Sequence, residues 1–587
     1  MILNLTPEQI KGKIDYIKKY ADASNSADGS LVDSNANVDT KNIGILEAEL
    51  YKPETIQINR EIVKQKLESM FPGMGAQYIK DIESHIIYIH DETSLRPYCA
   101  SITLFPFLLN GTKPLGGTSK APKNLHSFCG SFVNLVYQVA SGFAGAVATV
   151  EFLLYFDYFA KKTYGADYLT TNKKDIEQSL QGVVYALNQP ASARGNQSVF
   201  WNISVLDRHY FEHLFGTFHF PDGSQVQYDG SFRALQYLFM EWFRKEREKE
   251  LLTYPVLTAS MLIDDEGTPV DTEFAEMCAE EMAKGLSFFV YESKSVDSLA
   301  SCCRLRNELS DNTFSYTLGA GGVSTGSVQV ITLNMNRLVQ QKKDTVSDVV
   351  SRVHKYLLAH RAVIVDYMNS GLLPAYTAGF INIDKQFLTV GINGMLEASE
   401  FLHGKPDIEF YKDTLKTIYL LNKEDGQKYK VKYNTEFVPA ENLGVKNAKW
   451  DKEDGLVVPR DCYNSYFFPV EISEYSIIDK LDMHGTRTTA FLDGGAACHL
   501  NLAQLLTKKQ AYKLMCLAGK KGVSYWTFNC LMTICDDCGY INVNTENHCT
   551  KCGSTNVGYA TRVIGYLKRI DSFSTARQKE AMKRYYI

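Results

Sequence analysis

Two Cys-x-x-Cys pairs, Cys535/Cys538 and Cys549/Cys552, are separated by ten residues, and a glycine (Gly539, Gly553) follows the second cysteine of each pair. A cysteine pair on a tight turn offers two thiolates, and glycine permits the positive φ that turns backbone N–H groups toward the sulfurs. Two such knuckles complete a four-sulfur tetrahedral shell, so the spacing predicts a zinc ribbon rather than four unrelated thiols. A closed four-sulfur site leaves no open position for water, which makes the zinc structural and places the chemistry elsewhere. A second pair, Cys302-Cys303, stands in Ser301-Cys-Cys-Arg-Leu-Arg306. Thiols are good hydrogen-atom donors, although adjacent cysteines also occur as small core residues. The third unusual feature is Gly565, set in the bulky run Arg562-Val-Ile-Gly-Tyr-Leu567. That run is too apolar for an ordinary exposed turn, and a lone glycine in it would be read as a bulge or a close backbone approach.

The surrounding elements must hold these groups. Gly319-Ala-Gly-Gly322 and Gly326 lead into the β-branched run Val328–Asn334, a loop entering a sheet strand just after Cys303. His85–Asp91 reads as a short buried strand followed by a turn toward Pro97-Tyr98-Cys99. Helical periodicity dominates 125–165 and 228–252, and residues 20–45 read as an exposed polar loop. The stretch 405–460 is rich in Lys, Asp and Glu and reads as a surface excursion between core elements. Strands alternating with helical segments predict an α/β body with mostly parallel strands. The expected division is a body over 1–525, a zinc ribbon over 526–558, and a C-terminal loop and tail over 559–587.

Composition narrows the class. The chain has 587 residues, 45% hydrophobic and 22% charged, with a net charge of −5. A large buried core is expected, and no bulk attraction to nucleic acid or anionic membrane. Residues 1–19 lack a continuous apolar h-region, so a reducing cytoplasmic compartment is expected, in which thirteen cysteines serve metal binding or redox chemistry. Leu125–Thr149 carries no Asp, Glu, Lys or Arg and is long enough to span a bilayer. Its polar and small residues, including His126, Asn134 and Gln138, instead predict a buried helix pair or a subunit interface.

Arg562-Val-x-Gly565-Tyr566 near the C-terminus resembles the signature of the glycyl-radical enzymes. A glycine carbon radical flanked by an amide nitrogen and a carbonyl is delocalised when planar, and only glycine reaches that state without a Cβ in the way. Taken with the tetracysteine site and Cys302-Cys303-Arg-Leu-Arg306, nearly the whole chain resembles the class III, oxygen-sensitive ribonucleotide reductases. Asn35-Ala-Asn-Val-Asp39, His90-Asp91, Pro97-Tyr-Cys99, Asn188-Gln-Pro190, Gly195-Asn-Gln197, Pro439-Ala-Glu-Asn442, Tyr463-Asn-Ser465 and Gly494-Gly495 carry the rest of the likeness.

The resemblance implies a ten-stranded α/β barrel of two five-stranded parallel halves, with the thiyl cysteine on an inner finger loop; the N-terminal ATP-cone that some relatives carry is not expected here, since there is no room for one before Asn35. It implies that a radical on Gly565 oxidises Cys303, whose thiyl removes the ribose 3′ hydrogen of a ribonucleoside triphosphate so that the 2′ hydroxyl leaves as water. Cys99 would supply reducing equivalents from the opposite face. Glu441 is a candidate general base, and equally a solvated surface glutamate. Asn442, Tyr463, Asn464 and Ser465 are candidate substrate contacts, and Gly494 and Gly495 a candidate phosphate cradle through their N–H groups. Lys123 and Asn134 are candidate contacts for dNTP or ATP effectors at a homodimer interface. Relatives that oxidise formate carry asparagine where Ser327 stands, which favours a thioredoxin- or glutaredoxin-like reductant. A radical S-adenosylmethionine activating enzyme must install the radical, and the basic run Lys568, Arg569, Arg577, Lys579, Lys583 and Arg584 is either part of its docking surface or a solvated tail. The competing readings are another glycyl-radical enzyme of the acyltransferase or lyase kind, like pyruvate formate-lyase, and a zinc-ribbon nucleic-acid-binding protein.

Overall fold

Five short strands, β1 (Cys99–Ser101), β2 (Val147–Ala148), β3 (Trp201–Leu206), β4 (Val256–Leu262) and β5 (Phe289–Ser293), pair in chain order, every neighbour parallel. The structure is a computed structural model that describes residues 5–30, 41–191, 196–300, 306–308, 323–438, 442–562 and 565–587. Five further strands form the other half: β6 (Thr325–Asn334), β7 (Phe387–Asn393), β8 (Lys432–Phe437), β9 (Cys498–Asn501) and β10 (Tyr525–Asn529). Here β6, β7 and β8 are parallel neighbours, and β9 is parallel to β10. The halves meet antiparallel at two seams, β1 against β6 and β5 against β10.

The remaining gap, between β8 and β9, is closed by a parallel bridge, Glu436 to Gly495. Gly494 N donates to Thr435 O (2.7 Å), Phe437 N to Gly495 O (3.1 Å) and Thr435 N to Asp493 Oδ1 (2.8 Å). Gly495 has φ +94°, a conformation open to glycine at little cost. The result is a closed ten-stranded barrel of two parallel halves.

Side-chain alternation decides what lines it. On β3, Trp201, Ile203 and Val205 belong to the main hydrophobic core, with Trp201 against Phe132 and Phe152 of the surrounding helices. Asn202 and Ser204 therefore face inward, because successive strand residues point to opposite faces. Outside the barrel pack α1 (Leu125–Ser141), α2 (Phe152–Tyr164), α3 (Val346–Asn369) and α4 (Ile408–Tyr429). A capping box starts α1: Asn124 Oδ1 accepts from Ser127 N, and Ser127 Oγ accepts from Asn124 N. Its buried stripe is Phe128, Phe132, Leu135, Val136 and Val139.

Several expectations are corrected. The stretch 405–460 is not a surface excursion: it forms α4, the barrel strand β8 and α5 (Leu443–Glu453), with Glu436 and Asp451 buried among its charges. The uncharged stretch 125–149 is one helix and a barrel strand rather than a helix pair, and no helix among the described residues is long and apolar enough to cross a membrane. Division at 525/526 would cut β10. The ribbon sheet consists of β11 (Met532–Cys535), β12 (Ile541–Asn542), β13 (Val557–Arg562) and β14 (Leu567–Arg569), and so runs well past 558. Nor is the basic tail wholly solvated, although Lys579 and Lys583 are exposed. In and after α6 (Thr575–Lys583), Arg577 and Arg584 are buried against Glu580, and Ile587 exchanges backbone hydrogen bonds with Asn501 and Ala503.

Candidate functional site

In the ribbon, Cys535 Sγ lies 3.6 Å from Cys552 Sγ and Cys538 Sγ 3.7 Å from Cys549 Sγ, and all four sulfurs fall within 4.8 Å of one another. A tetrahedron of zinc–sulfur bonds of about 2.3 Å has edges of about 3.8 Å, so the donor set fits that ion. Gly539 (φ +71°) and Gly553 (φ +77°) adopt the left-handed conformation the knuckles require, and the N–H groups of Lys551 and Cys552 point at Cys549 Sγ.

The same sheet carries Gly565. Strands β13 and β14 pair antiparallel with Arg562 opposite Leu567, so Gly565 lies in the short connection at the hairpin tip. The hairpin is inserted against one end of the barrel. Arg562, buried, donates from Nη1 to Gly565 O (2.7 Å) and from Nε to Ser287 Oγ (3.0 Å), with its guanidinium 4.7 Å from the centre of the Phe289 ring. Burial pulls its pKa down to about 10, which leaves it a cation at neutral pH. Arg584 Nη1 secures the strand end through Arg562 O (2.8 Å). Tyr566 is buried, its ring 5.3 Å from Phe200 and 5.8 Å from Tyr254. Phe200, Tyr254 and Phe289 stand at the N-terminal ends of β3, β4 and β5, so the hairpin addresses that end of the first half.

Cys99 is at the same end. It is the first residue of β1, buried in a cluster with Ala146 against Tyr98, Phe200 and Phe387. Phe200 thus touches both the Cys99 cluster and the residue following Gly565. Across the seam Cys99 pairs with Ser327, and Gly326 (φ +153°) lets the strands close up, since a Cβ there would collide with the Cys99 carbonyl. Ser327 sits at a register shift, Phe387 and Leu388 facing Ser327 and Gln329, the kind of irregularity that re-aims a side chain. Its Oγ is 2.8 Å from Thr389 Oγ1. Cys303 and Glu441 lie outside the described residues.

Inside the barrel, both amide atoms of Asn202 on β3 and of Asn434 on β8 are buried without a hydrogen-bond partner among the described residues, as is Ser260 Oγ on β4. A buried polar group left unpaired costs about 1–3 kcal/mol, so such a lining suits a polar ligand. The sequence reading missed these residues, although the signal was there: Asn202, Ser204, Thr258 and Ser260 interrupt otherwise apolar strands with period two.

The candidate substrate contacts divide. Asn464 fits the lining: its N–H donates to Glu397 Oε1 (2.9 Å) while its Nδ2 has no partner among the described residues. Tyr463 is engaged elsewhere, its OH donating to Asp451 Oδ2 (2.7 Å) and accepting from Asn336 Nδ2 (2.7 Å), and burial pushes its pKa well up. Ser465 is buried, and Asn442 stands at the N-cap position of α5, where its side chain accepts from Ser574 Oγ (3.4 Å) rather than from the helix. The N–H groups of Gly494 and Gly495 donate to Thr435 O and Leu492 O, so in this structure the pair closes the barrel. The candidate effector contacts are remote from all of these: Lys123 precedes α1, and Asn134 lies on its exposed face, donating to Gly130 O.

Comparison with known proteins bears on this arrangement. The family profile described as anaerobic ribonucleoside-triphosphate reductase matches residues 47–586. Among solved structures, the chain is similar to one described as an anaerobic ribonucleotide reductase, 26% identical with TM-score 0.86 over 99% of this chain and 93% of that one. It is also similar to the anaerobic ribonucleotide reductase of Thermotoga maritima in complex with dATP and CTP, 26% identical with TM-score 0.83 over 99% and 100% of the two chains. A glycyl radical enzyme of Archaeoglobus fulgidus, 10% identical with TM-score 0.57 over 100% and 91%, shares the fold. No curated protein sequence matches significantly.

Proposed function

Because the chain belongs to the anaerobic ribonucleoside-triphosphate reductase family, we propose that Gly565 stores its radical and Cys303 carries that radical to the ribose. The observation that supports this most is the placement of Gly565: a hairpin tip with its carbonyl on Arg562, beside a tyrosine that shares Phe200 with Cys99. Gly565 gives its radical character to Cys303, and the thiyl takes the ribose 3′ hydrogen. The 2′ hydroxyl then leaves as water. Replacing C–OH by C–H consumes two electrons and two protons, which enter through Cys99 from a thioredoxin- or glutaredoxin-like dithiol protein, and the 3′ hydrogen returns from Cys303. Ser327 in place of asparagine favours that donor over formate.

Glu441 serves as general base at the ribose hydroxyls. Asn464, with Asn202 and Asn434, supplies buried amides to the substrate, beside Asn442, Tyr463 and Ser465. The closing turn at Gly494 and Gly495 borders the same interior. Cys535, Cys538, Cys549 and Cys552 hold zinc, which, when bound, fixes the sheet carrying the Gly565 hairpin. The exposed face of α1, with Lys123 and Asn134, takes dNTP or ATP effectors at a homodimer interface, as the Thermotoga maritima complex with dATP and CTP encourages. A radical S-adenosylmethionine enzyme installs the radical in the cytoplasm.

The test combines the chain anaerobically with such an activating enzyme, S-adenosylmethionine and reductant, followed by electron paramagnetic resonance, exposure to air and intact mass. A carbon-radical doublet and cleavage at Gly565, both absent in Gly565→Ala, are expected; no doublet with an activating enzyme proven competent on another substrate overturns the assignment.

A further inference from the structure

Two arginines buried beside the hairpin lack what buried arginines ordinarily have. Among the described residues neither Arg247 nor Arg562 is paired with a carboxylate. Arg247 donates to the carbonyls of Leu252 (3.0 Å) and Ser287 (2.8 Å) and lies 4.2 Å over the Phe243 ring. Arg562 donates to Ser287 Oγ and to Gly565 O, lies over Phe289, and its Nη2 has no partner among the described residues. Ser287 is the shared pivot: its carbonyl faces one guanidinium and its hydroxyl the other. A buried cation is expensive unless it is paired or put to use. Here one N–H of the charged Arg562 guanidinium, in a low-dielectric setting, is directed at the carbonyl oxygen of Gly565.

We infer that Arg562, held in place by Ser287 and Phe289, is a positioning residue that stabilises the radical on Gly565 by hydrogen bonding to its carbonyl. A carbon radical between an amide nitrogen and a carbonyl draws on a resonance form with negative charge on the oxygen and positive charge on the nitrogen. A charged donor at that oxygen stabilises this form more than the closed-shell peptide, and charge-assisted bonds are the stronger kind, more so away from water. In the step so favoured, the Gly565 Cα–H bond breaks homolytically and its hydrogen atom forms a C–H bond on the incoming carbon radical generated by the activating enzyme from S-adenosylmethionine. Arg562 neither gains nor loses a proton. The same bond holds the carbonyl of Gly565 in a fixed plane, which keeps the radical centre flat.

The inference rests on Gly565 as the radical site, and the test separates the two. The full chain is prepared with glycine carrying 13C at the carbonyl, activated, and compared with Arg562→Gln, Arg562→Lys and Ser287→Ala by electron paramagnetic resonance. In wild type the carbonyl 13C splitting is measured together with the decay of the signal under anaerobic storage. Arg562→Gln is expected to alter the splitting and shorten the radical's life by about tenfold or more, the scale of a charge-assisted hydrogen bond. Arg562→Lys should restore part of both, and Ser287→Ala, which spares the guanidinium but loosens it, should shift both in the same direction by less. A splitting and lifetime unchanged in Arg562→Gln and Ser287→Ala, with a normal wild-type doublet, overturns the inference. Should Arg562→Gln not fold, Ser287→Ala decides alone. Absence of the wild-type doublet counts instead against Gly565 as the radical site.

Discussion

In the proposed reaction Gly565 and Cys303 would divide one unpaired electron between a storage position and a working position, so substitutions separate them. Cys303→Ala should reduce turnover to background while the Gly565 doublet forms to the wild-type extent; residual turnover above about one thousandth of wild type would remove Cys303 from the reaction. A different residue carries a pH effect. Glu292 on β5 is buried, its best partner being Trp526 Nε1 at 3.4 Å, and burial raises its pKa well above the ordinary carboxylate value. The folded state therefore holds this proton more tightly than the unfolded chain. The contribution is fully present below about pH 4.5 and is lost as pH rises toward the folded value. Glu292→Gln keeps the shape and removes the charge, so it should match wild type in denaturant midpoint near pH 4 and exceed it by about 1 kcal/mol or more at pH 7. Equal midpoints at both pH values would show that Glu292 reaches solvent or an unrecognised partner.

The ribbon and the glycine hairpin are one element, because β11, β13 and β14 are successive strands of one sheet whose small core is Met532, Ile534, Ile541, Ala560 and Leu567. A core of that size does not hold a sheet without a metal or another staple. Stripping the metal with a chelator, or Cys538→Ser, should therefore abolish most of the Gly565 signal while the barrel's main thermal transition moves by no more than about 2 °C, the effect of roughly 2 kcal/mol in a protein of this size. Simultaneous loss of both would make the ribbon a general stabiliser rather than a support for the hairpin. The tail acts at the same scale. Two of its cations are spent inside the protein, Arg577 and Arg584 on Glu580 and Arg584 also on the carbonyl of Arg562, while Lys579 and Lys583 are exposed.

The whole molecule is a barrel whose last gap is closed by a turn rather than a strand. Gly495→Ala places a Cβ on a φ of +94° and strains that closure. A loss of about 1–3 kcal/mol in denaturant unfolding is expected, and a neutral substitution would show that the closure is not under strain. Much of this architecture was legible beforehand. The Cys-x-x-Cys pairs and their glycines announced the ribbon because metal geometry fixes both spacing and turn, and the apolar setting of Gly565 marked it as no ordinary turn residue. The charged stretch 405–460 misled, since the charges of α4 and α5 are evenly spread while the single strand β8 that matters is short. Tyr463 and the pair Gly494–Gly495 were selected by residue type, yet their polar atoms are used by Asp451, Thr435 and Leu492, partners remote in the chain or set by the turn. The sequence by itself determined the four-cysteine cluster, the apolar setting of Gly565 and the alternation of strands and helices, because each depends on spacing within a few residues. Only the tertiary structure decided that Arg562 reaches Gly565 O while resting on Ser287 and Phe289, that Phe200 joins Tyr566 to Cys99, and that Asn202 and Asn434 face the interior with no hydrogen-bond partner among the described residues. Those contacts join segments hundreds of residues apart, and barrel closure, not local pattern, is what brings them together.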